Sequence, residues 1–383
     1  MTNCENIFKR IDSMEDEYIK ILEEFCLIES PTDYKAGVDE ASNYIIKKSE
    51  AFGWKIERQK QEKAGDCICI TMNPDSTQSP ICLSGHVDTV HPAGLFGSPA
   101  VRYEGEKMYG PGVADCKGGI VASLMAMAAL SMENFTSRPI KLILQSDEET
   151  GSQQSNKTTI DYMCECARGA VAFLNCEPSL SGTVVIQRKG IARYVFNITG
   201  KAAHSSACYN GVNAVAEAAH KILELEKFKD EKGITANCGL ISGGTTVNTV
   251  PEKCTFKVDF RFSTNEELNM IQSIVQKVAD TSYIEGTTCE LLLESSRVAM
   301  ELTDKNIELL EKVNEIFENV NLPTLTRRKS NAGSDASYTT YHGIPTLDSL
   351  GVEFRNIHSK NEHTLIPTLA ESAKRLAAIC CCI

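Results

Sequence analysis

Residues 120–130 read IVASLMAMAAL, a run with no charged side chain and nothing more polar than serine. As helix it would rise only about 16 Å, roughly half the thickness of a bilayer core, so it cannot span a membrane and has to be covered by protein on every side. A helix that is apolar all round demands a large structure around it. The chain, at 383 residues, is long enough to build one and to divide into more than one domain.

The flanking sequence says what covers it. Short apolar runs with β character occur at 67–71, 81–83, 140–144 and 170–174, with the buried helix between the second and third of them. Amphipathic helices are expected at 14–31 and 37–52. Strands alternating with helices predict an α/β domain with a central sheet. Near residue 186 the texture changes. Strand-like 191–199, helical 211–226, strand-like 235–242 and 253–261, helical 265–280 and strand-like 287–294 follow in the order βαββαβ, the ferredoxin-like unit. A helix at 304–320, an apolar strand at 345–350 and a helix at 367–380 then complete the first domain. The expected organisation is therefore a main domain of residues 1–187 and 298–383, its mixed sheet flanked by helices, interrupted by an inserted ferredoxin-like domain over 188–297.

Charge and cysteine content narrow the class. With 39 Lys and Arg against 51 Asp and Glu, the net charge of -12 repels phosphate backbones and anionic lipid, so neither nucleic acid nor membrane is an expected partner. The first residues, MTNCENIFKRIDSMEDEY, carry charges throughout and no apolar export core, so the 16 cysteines point to a reducing cytoplasm and not to a disulfide framework. The terminal run Cys380, Cys381, Cys382, Ile383 has the form of a prenylation box, but no polybasic stretch precedes it and a lipid anchor is not expected.

Candidate chemistry gathers where an open α/β sheet places it, just beyond the carboxyl ends of strands. In LSGHVDTV, His86 and Asp88 are two apart and project to one side of an extended segment, so a metal-binding imidazole could be oriented by the carboxylate. In GPGVADCKGG, Asp115 stands among glycines before the buried helix. QSDEETGS offers Asp147, Glu148 and Glu149; NCEPS offers Glu177; IHSKNEH offers His358, Glu362 and His363. Taken singly, each has a plain alternative: a surface His–Asp pair, a helix cap, a charged loop. Taken together, imidazoles and carboxylates in this mixture make the donor set of a two-zinc hydrolase with open positions.

In order and spacing, SGHVDTV, GPGVADCKGG, SDEETGS, NCEPS and HSKNE resemble the five metal-site blocks of the M20 metallopeptidases, and the resemblance covers essentially the whole chain. It implies a zinc-exopeptidase-like catalytic domain and, in the insert, a lid that also serves for dimerisation. It further implies two divalent ions per chain, zinc or else cobalt or manganese. Asp115 would bridge them, with Glu149 and His358 on one and His86 and Glu177 on the other. Glu148 becomes the general base and Asp88 the residue that orients His86. In the insert, RKGIARYVFNITGKAAHSS makes His204 similar to the lid histidine that polarises the scissile carbonyl. GGTTVNTVPEKC with Asn248 and VDFRF with Arg261 match blocks that reach the substrate. NAGSDASY with Gly333 and Ser334, and SSRVAM with Arg297, resemble more loosely the substrate loop and carboxylate-binding arginine of the carboxypeptidase G2 branch. The implied activity is metal-assisted hydrolysis of an amide beside a C-terminal amino acid, on small peptides or N-acyl amino acids, in a homodimer formed through the lid. An N-acyl amino acid deacylase or tripeptidase is the alternative. A non-catalytic binding protein on the same fold would be expected to lack Glu148 or a ligand, and all are present. Two features depart from or divide the family: Cys116, where relatives commonly carry Met, and Glu177, where some have Asp.

Overall fold

The apolar run lies within the helix Lys117–Met132, in which every residue from Lys117 to Leu130 is buried. The computed structural model describes residues 2–230 and 233–383. A mixed sheet of six strands lies beside this helix in the order Lys55–Gln59, Cys67–Met72, Ile140–Gln145, Ile81–His86, Ala172–Asn175, Thr346–Leu347. The first two pair antiparallel to each other and the second antiparallel to the third, whereas the last four run parallel. Two interior strands, Ile81–His86 and Cys67–Met72, are buried along their whole length, as strands covered on two faces must be.

The register decides where chemistry collects. His86 pairs with Gln145, so those two parallel strands end at one level, and the next strand ends at Asn175, opposite Ser84 and two residues short of that level. The chain beyond each end carries Asp88, Glu148 and Glu149, and Glu177 respectively. The helix bearing the apolar run closes onto this edge because residue 119 is glycine: a Cβ there would collide with the carbonyl oxygen of Cys176. Lys117, wholly buried at its start, donates to the carbonyls of Phe25 (3.2 Å) and Ile28 (2.6 Å), the last turn of the helix Glu15–Leu27 and the residue after it. Burial pushes this ammonium down to about 8, and the negative end of the helix is its compensating partner.

The chain divides into two units. One holds the residues up to Gln187 with Leu302–Lys329 and Ser334–Ile383; the other is Arg188–Glu301 with Ser330–Gly333. The second unit contains, in chain order, Gly190–Thr199, helix Ala214–Leu225, Thr235–Gly243, Lys253–Phe262, helix Asn265–Asp280 and Thr288–Arg297. All its strand pairs are antiparallel, with Lys253–Phe262 and Gly190–Thr199 central, which is the ferredoxin-like arrangement. Its helices start on sequence-coded caps: Asn213 accepts from the Ala216 amide, and Thr264 with Glu267 forms a capping box. Inside it, Lys221 pairs with Glu217 at 3.1 Å and donates to Val278 and Ala279 carbonyls, holding the end of one helix against the other.

Several elements differ from the sequence reading. A helix at Thr2–Ser13 precedes the two expected, burying Cys4, Ile7 and Ile11 on one face. The edge strand Lys55–Gln59 and the helices Thr158–Cys166 and Ala336–Tyr341 are additional, and the strand expected over 345–350 shortens to Thr346–Leu347. Among the described residues no helix is long and apolar enough to cross a membrane.

Candidate metal centre

Five side chains from five separate sequence blocks converge at the carboxyl edge of the central sheet. Asp115 sits in the middle. One of its carboxylate oxygens lies 3.0 Å from Nε2 of His86 and the other 3.2 Å from Nε2 of His358. Glu149 approaches His358 Nε2 at 3.4 Å, and Glu177 approaches His86 Nε2 at 3.7 Å. One donor atom each from His86, Asp115 and Glu149 lie within 4.8 Å of one another, and so do those of His86, Cys116 and Glu177. His358 adopts a left-handed backbone, φ 60°, which turns its imidazole toward Asp115 from a loop.

The charges test whether this donor set fits a cation. Burial, reinforced by the charge of Asp115, pushes Glu177 well above the ordinary carboxylate range and Glu149 up to about 7. Hydrogen bonds to Asp115 and Glu149 raise His358 to about 10. Burial opposes protonation of His86, yet Asp115 and Asp88 hold it well above the usual imidazole range. Against its own burial, Asp115 is held well below the carboxylate range by His358 and His86. Acids that resist ionising side by side, around imidazoles that hold protons, mark a place that favours concentrated positive charge, and nitrogen and oxygen donors in this ratio suit divalent zinc, cobalt or manganese. The set fits a metal centre.

Asp88 is fully buried and does more at the site than stand beside His86. The nearest acceptor to His86 Nδ1 is the backbone carbonyl of Asp88, at 2.9 Å, with the carboxylate at 3.4 Å. That carboxylate accepts from the backbone amides of Glu148 (3.2 Å) and Glu149 (3.1 Å) and from the hydroxyl of Thr32 (2.8 Å). It therefore fixes the turn that presents both glutamates. Asp147, the third acid of that block, faces away and accepts from the Ser155 amide and Thr159 hydroxyl. Cys116 is buried and donates to the Cys176 carbonyl at 3.0 Å; burial and the nearby Glu177 push its thiol well up, so it is held as a thiol.

Sequence reasoning left Glu362 without a role and did not single out His91 or Thr32. One oxygen of Glu362 accepts from the amides of Ala114 (3.0 Å) and Asp115 (3.1 Å), while the other lies 2.6 Å from His91 Nε2. A carboxylate 247 positions away thus pins the backbone that carries Asp115. Of the remaining candidates in this unit, Ser334 is buried and accepts from the side-chain amide of Asn175 at 2.9 Å.

The second unit keeps the other candidates. His204 is exposed, its Nδ1 paired with the Ser206 hydroxyl at 2.8 Å, and it bridges to Thr249 beside Asn248, whose carbonyl accepts from the Ser205 amide. Arg261 is bound to Asp259, which also accepts from Arg193. Arg297 is nearly buried and lies against Gly333: a Cβ on that glycine would stand 3.0 Å from Cδ and 3.2 Å from Nη1 of the arginine.

Comparison with known proteins agrees with this geometry. The sequence pattern of Peptidase family M20/M25/M40 matches residues 82–381. Carboxypeptidase G2 of Pseudomonas sp. is 27% identical over 362 residues, 92% of this chain and 86% of that one. The succinyl-diaminopimelate desuccinylase of Nautilia profundicola is 26% identical over 306 residues, 74% of this chain and 79% of that one. In fold, the aminopeptidase PepT of Bacillus cereus superposes with a TM-score of 0.78 at 22% identity, covering 95% of this chain and 97% of that one. The buried donor cluster, the α/β fold and the family match over residues 82–381 together place this chain in peptidase family M20/M25/M40, as an M20-type metallohydrolase.

Proposed function

We propose that the protein is a two-metal carboxypeptidase that hydrolyses the amide bond next to a C-terminal amino acid with a free carboxylate. The observation that carries the two-metal reading is Asp115, whose two oxygens face two different imidazoles. In this reading two divalent ions, zinc by preference, would be held by Asp115 in common, by His358 and Glu149 on one side and by His86 and Glu177 on the other. A bound pair of such ions makes a water acidic near neutral pH and polarises a carbonyl. Glu148 accepts the proton of the attacking water and returns it to the leaving amine, and Asp88 keeps it in place through its backbone amide. His204 donates to the oxygen on which negative charge develops. Asn248 and Ser334 contribute substrate contacts. Arg297, beside the backbone of Gly333, binds the terminal carboxylate as a planar guanidinium does, bidentately; Arg261 is the second candidate for that contact. Similarity to carboxypeptidase G2 supports this substrate class. The enzyme acts as a homodimer through its ferredoxin-like unit, on small peptides, and the 16 cysteines favour the cytoplasm.

Hydrolysis of dipeptides and N-acyl amino acids with zinc, cobalt or manganese, each as free acid and as amide, tests the reading. Amidation is expected to lower kcat/KM by at least about tenfold, and Arg297→Ala to remove that preference. Equal rates on acid and amide would move the enzyme to the deacylase or aminopeptidase side of its family. His204→Ala is expected to lower kcat by about a hundredfold with metal content unchanged, as for a contact made mainly in the transition state. Mixing His204→Ala with Glu148→Ala subunits then reads the dimer: recovered activity places His204 across the interface, and none, with subunit exchange verified, leaves it in its own chain.

A further inference from the structure

The first helix of the chain, Thr2–Ser13, packs against the last, Pro367–Cys382, and three thiols meet where they touch. The sulfurs of Cys4 and Cys382 are 3.4 Å apart, and those of Cys4, Cys381 and Cys382 all lie within 4.8 Å of one another. Consecutive residues of a helix point in different directions, so Cys381 and Cys382 do not approach one partner merely by sharing a face. Cys380, by contrast, is turned into the core and 1% exposed. None of the three converging cysteines is in a disulfide, and they grade from buried Cys4 through half-buried Cys381 to exposed Cys382, so the cluster opens to solvent on one side.

We propose that Cys4, Cys381 and Cys382 form a three-thiolate site for a thiophilic d10 cation, zinc or copper(I). Thiolate sulfurs bound to such an ion at about 2.3 Å stand about 3.8 Å apart in tetrahedral geometry, close to the spacing already present. Soft sulfur donors select these metals over the harder ions suited to carboxylates. On binding, metal–sulfur bonds replace the S–H bonds and the protons pass to buffer; no oxidant or reductant is required. The exposed side leaves a fourth position for water. A cation here would join residues 378 apart in sequence, closing nearly the whole chain into one loop, so its effect should be on unfolding and not on turnover. The site shares no residue with the donors around Asp115 and does not depend on the function proposed for them.

Titration of the reduced full-length protein with cadmium, followed by thiolate-to-metal charge-transfer absorption and by thermal melting, tests the site. Nitrogen and oxygen ligands give no such band, so the only sulfur by which the centre around Asp115 could add to it is that of Cys116, and Cys116→Ser removes that contribution. The expected result is a band saturating near one equivalent, together with a rise in melting midpoint of at least about 3 °C. Cys382→Ser, at an exposed position, and Cys4→Ser should each weaken the affinity read from that band by at least about tenfold, with Cys116→Ser leaving it intact. No band, a band unchanged in both Cys4→Ser and Cys382→Ser, or one lost only in Cys116→Ser would each overturn the proposal.

Discussion

Glu148→Ala should lower turnover by at least about a thousandfold while the protein keeps its full complement of metal, which metal analysis of the dialysed variant checks. The geometry separates the two adjacent glutamates. Glu149 reaches His358 and shares the donor cluster with His86 and Asp115. Glu148 is set beside them by the hydrogen bond from its amide to Asp88. Glu149→Ala is accordingly expected to lose metal as well as rate. If Glu148→Ala empties the centre and Glu149→Ala does not, the two roles have been exchanged.

A comparable loss is expected from Asp115→Ala, by a different route. Because each oxygen of this carboxylate faces its own imidazole, its removal should strip both ions, whereas His86→Ala and His358→Ala should each leave about one bound per chain after dialysis against zinc. Chelation of the unaltered enzyme should reproduce the Asp115→Ala rate. Affinity should also depend on pH with a definite sign. His358, raised to about 10, and Glu149, raised to about 7, must release protons before they can ligate, so metal binding should weaken as pH falls below about 10 and more steeply once it falls below about 7. Retention of two ions by Asp115→Ala would refute the bridging assignment.

The sequence was readable where one local signal dominates. The ferredoxin-like unit came out element by element because its strands alternate cleanly, as in the buried and half-buried succession along Gly190–Thr199, and its helices carry one apolar stripe. The helix Thr2–Ser13 was hidden by its charges, although Cys4, Ile7 and Ile11 keep helical spacing beneath them. The edge strand Lys55–Gln59 has almost no buried face and so no alternation to read. At the site, His86, Asp115, Glu149, Glu177 and His358 were each visible as donors in a recognisable block, and the structure brings these five together. What supports them was not visible. Glu362 reaches Asp115 across 247 positions and His91 across 271, and Thr32 reaches Asp88 across 56; no local pattern encodes such contacts.

Asp88 holds two consecutive peptide amides with its two oxygens, and its own carbonyl meets His86. A residue that serves three neighbours at once couples them energetically, so substitutions at Asp88, His86 and the Glu148–Glu149 turn should combine non-additively, by about 0.5–3 kcal/mol in a double-mutant cycle. Gradual retuning of this edge is thereby made difficult, because adjusting one group disturbs the others. Divergence toward new substrates has a freer path through the inserted unit, where a position such as the exposed Asn248 takes no part in these hydrogen bonds and its replacement leaves the sheet edge untouched.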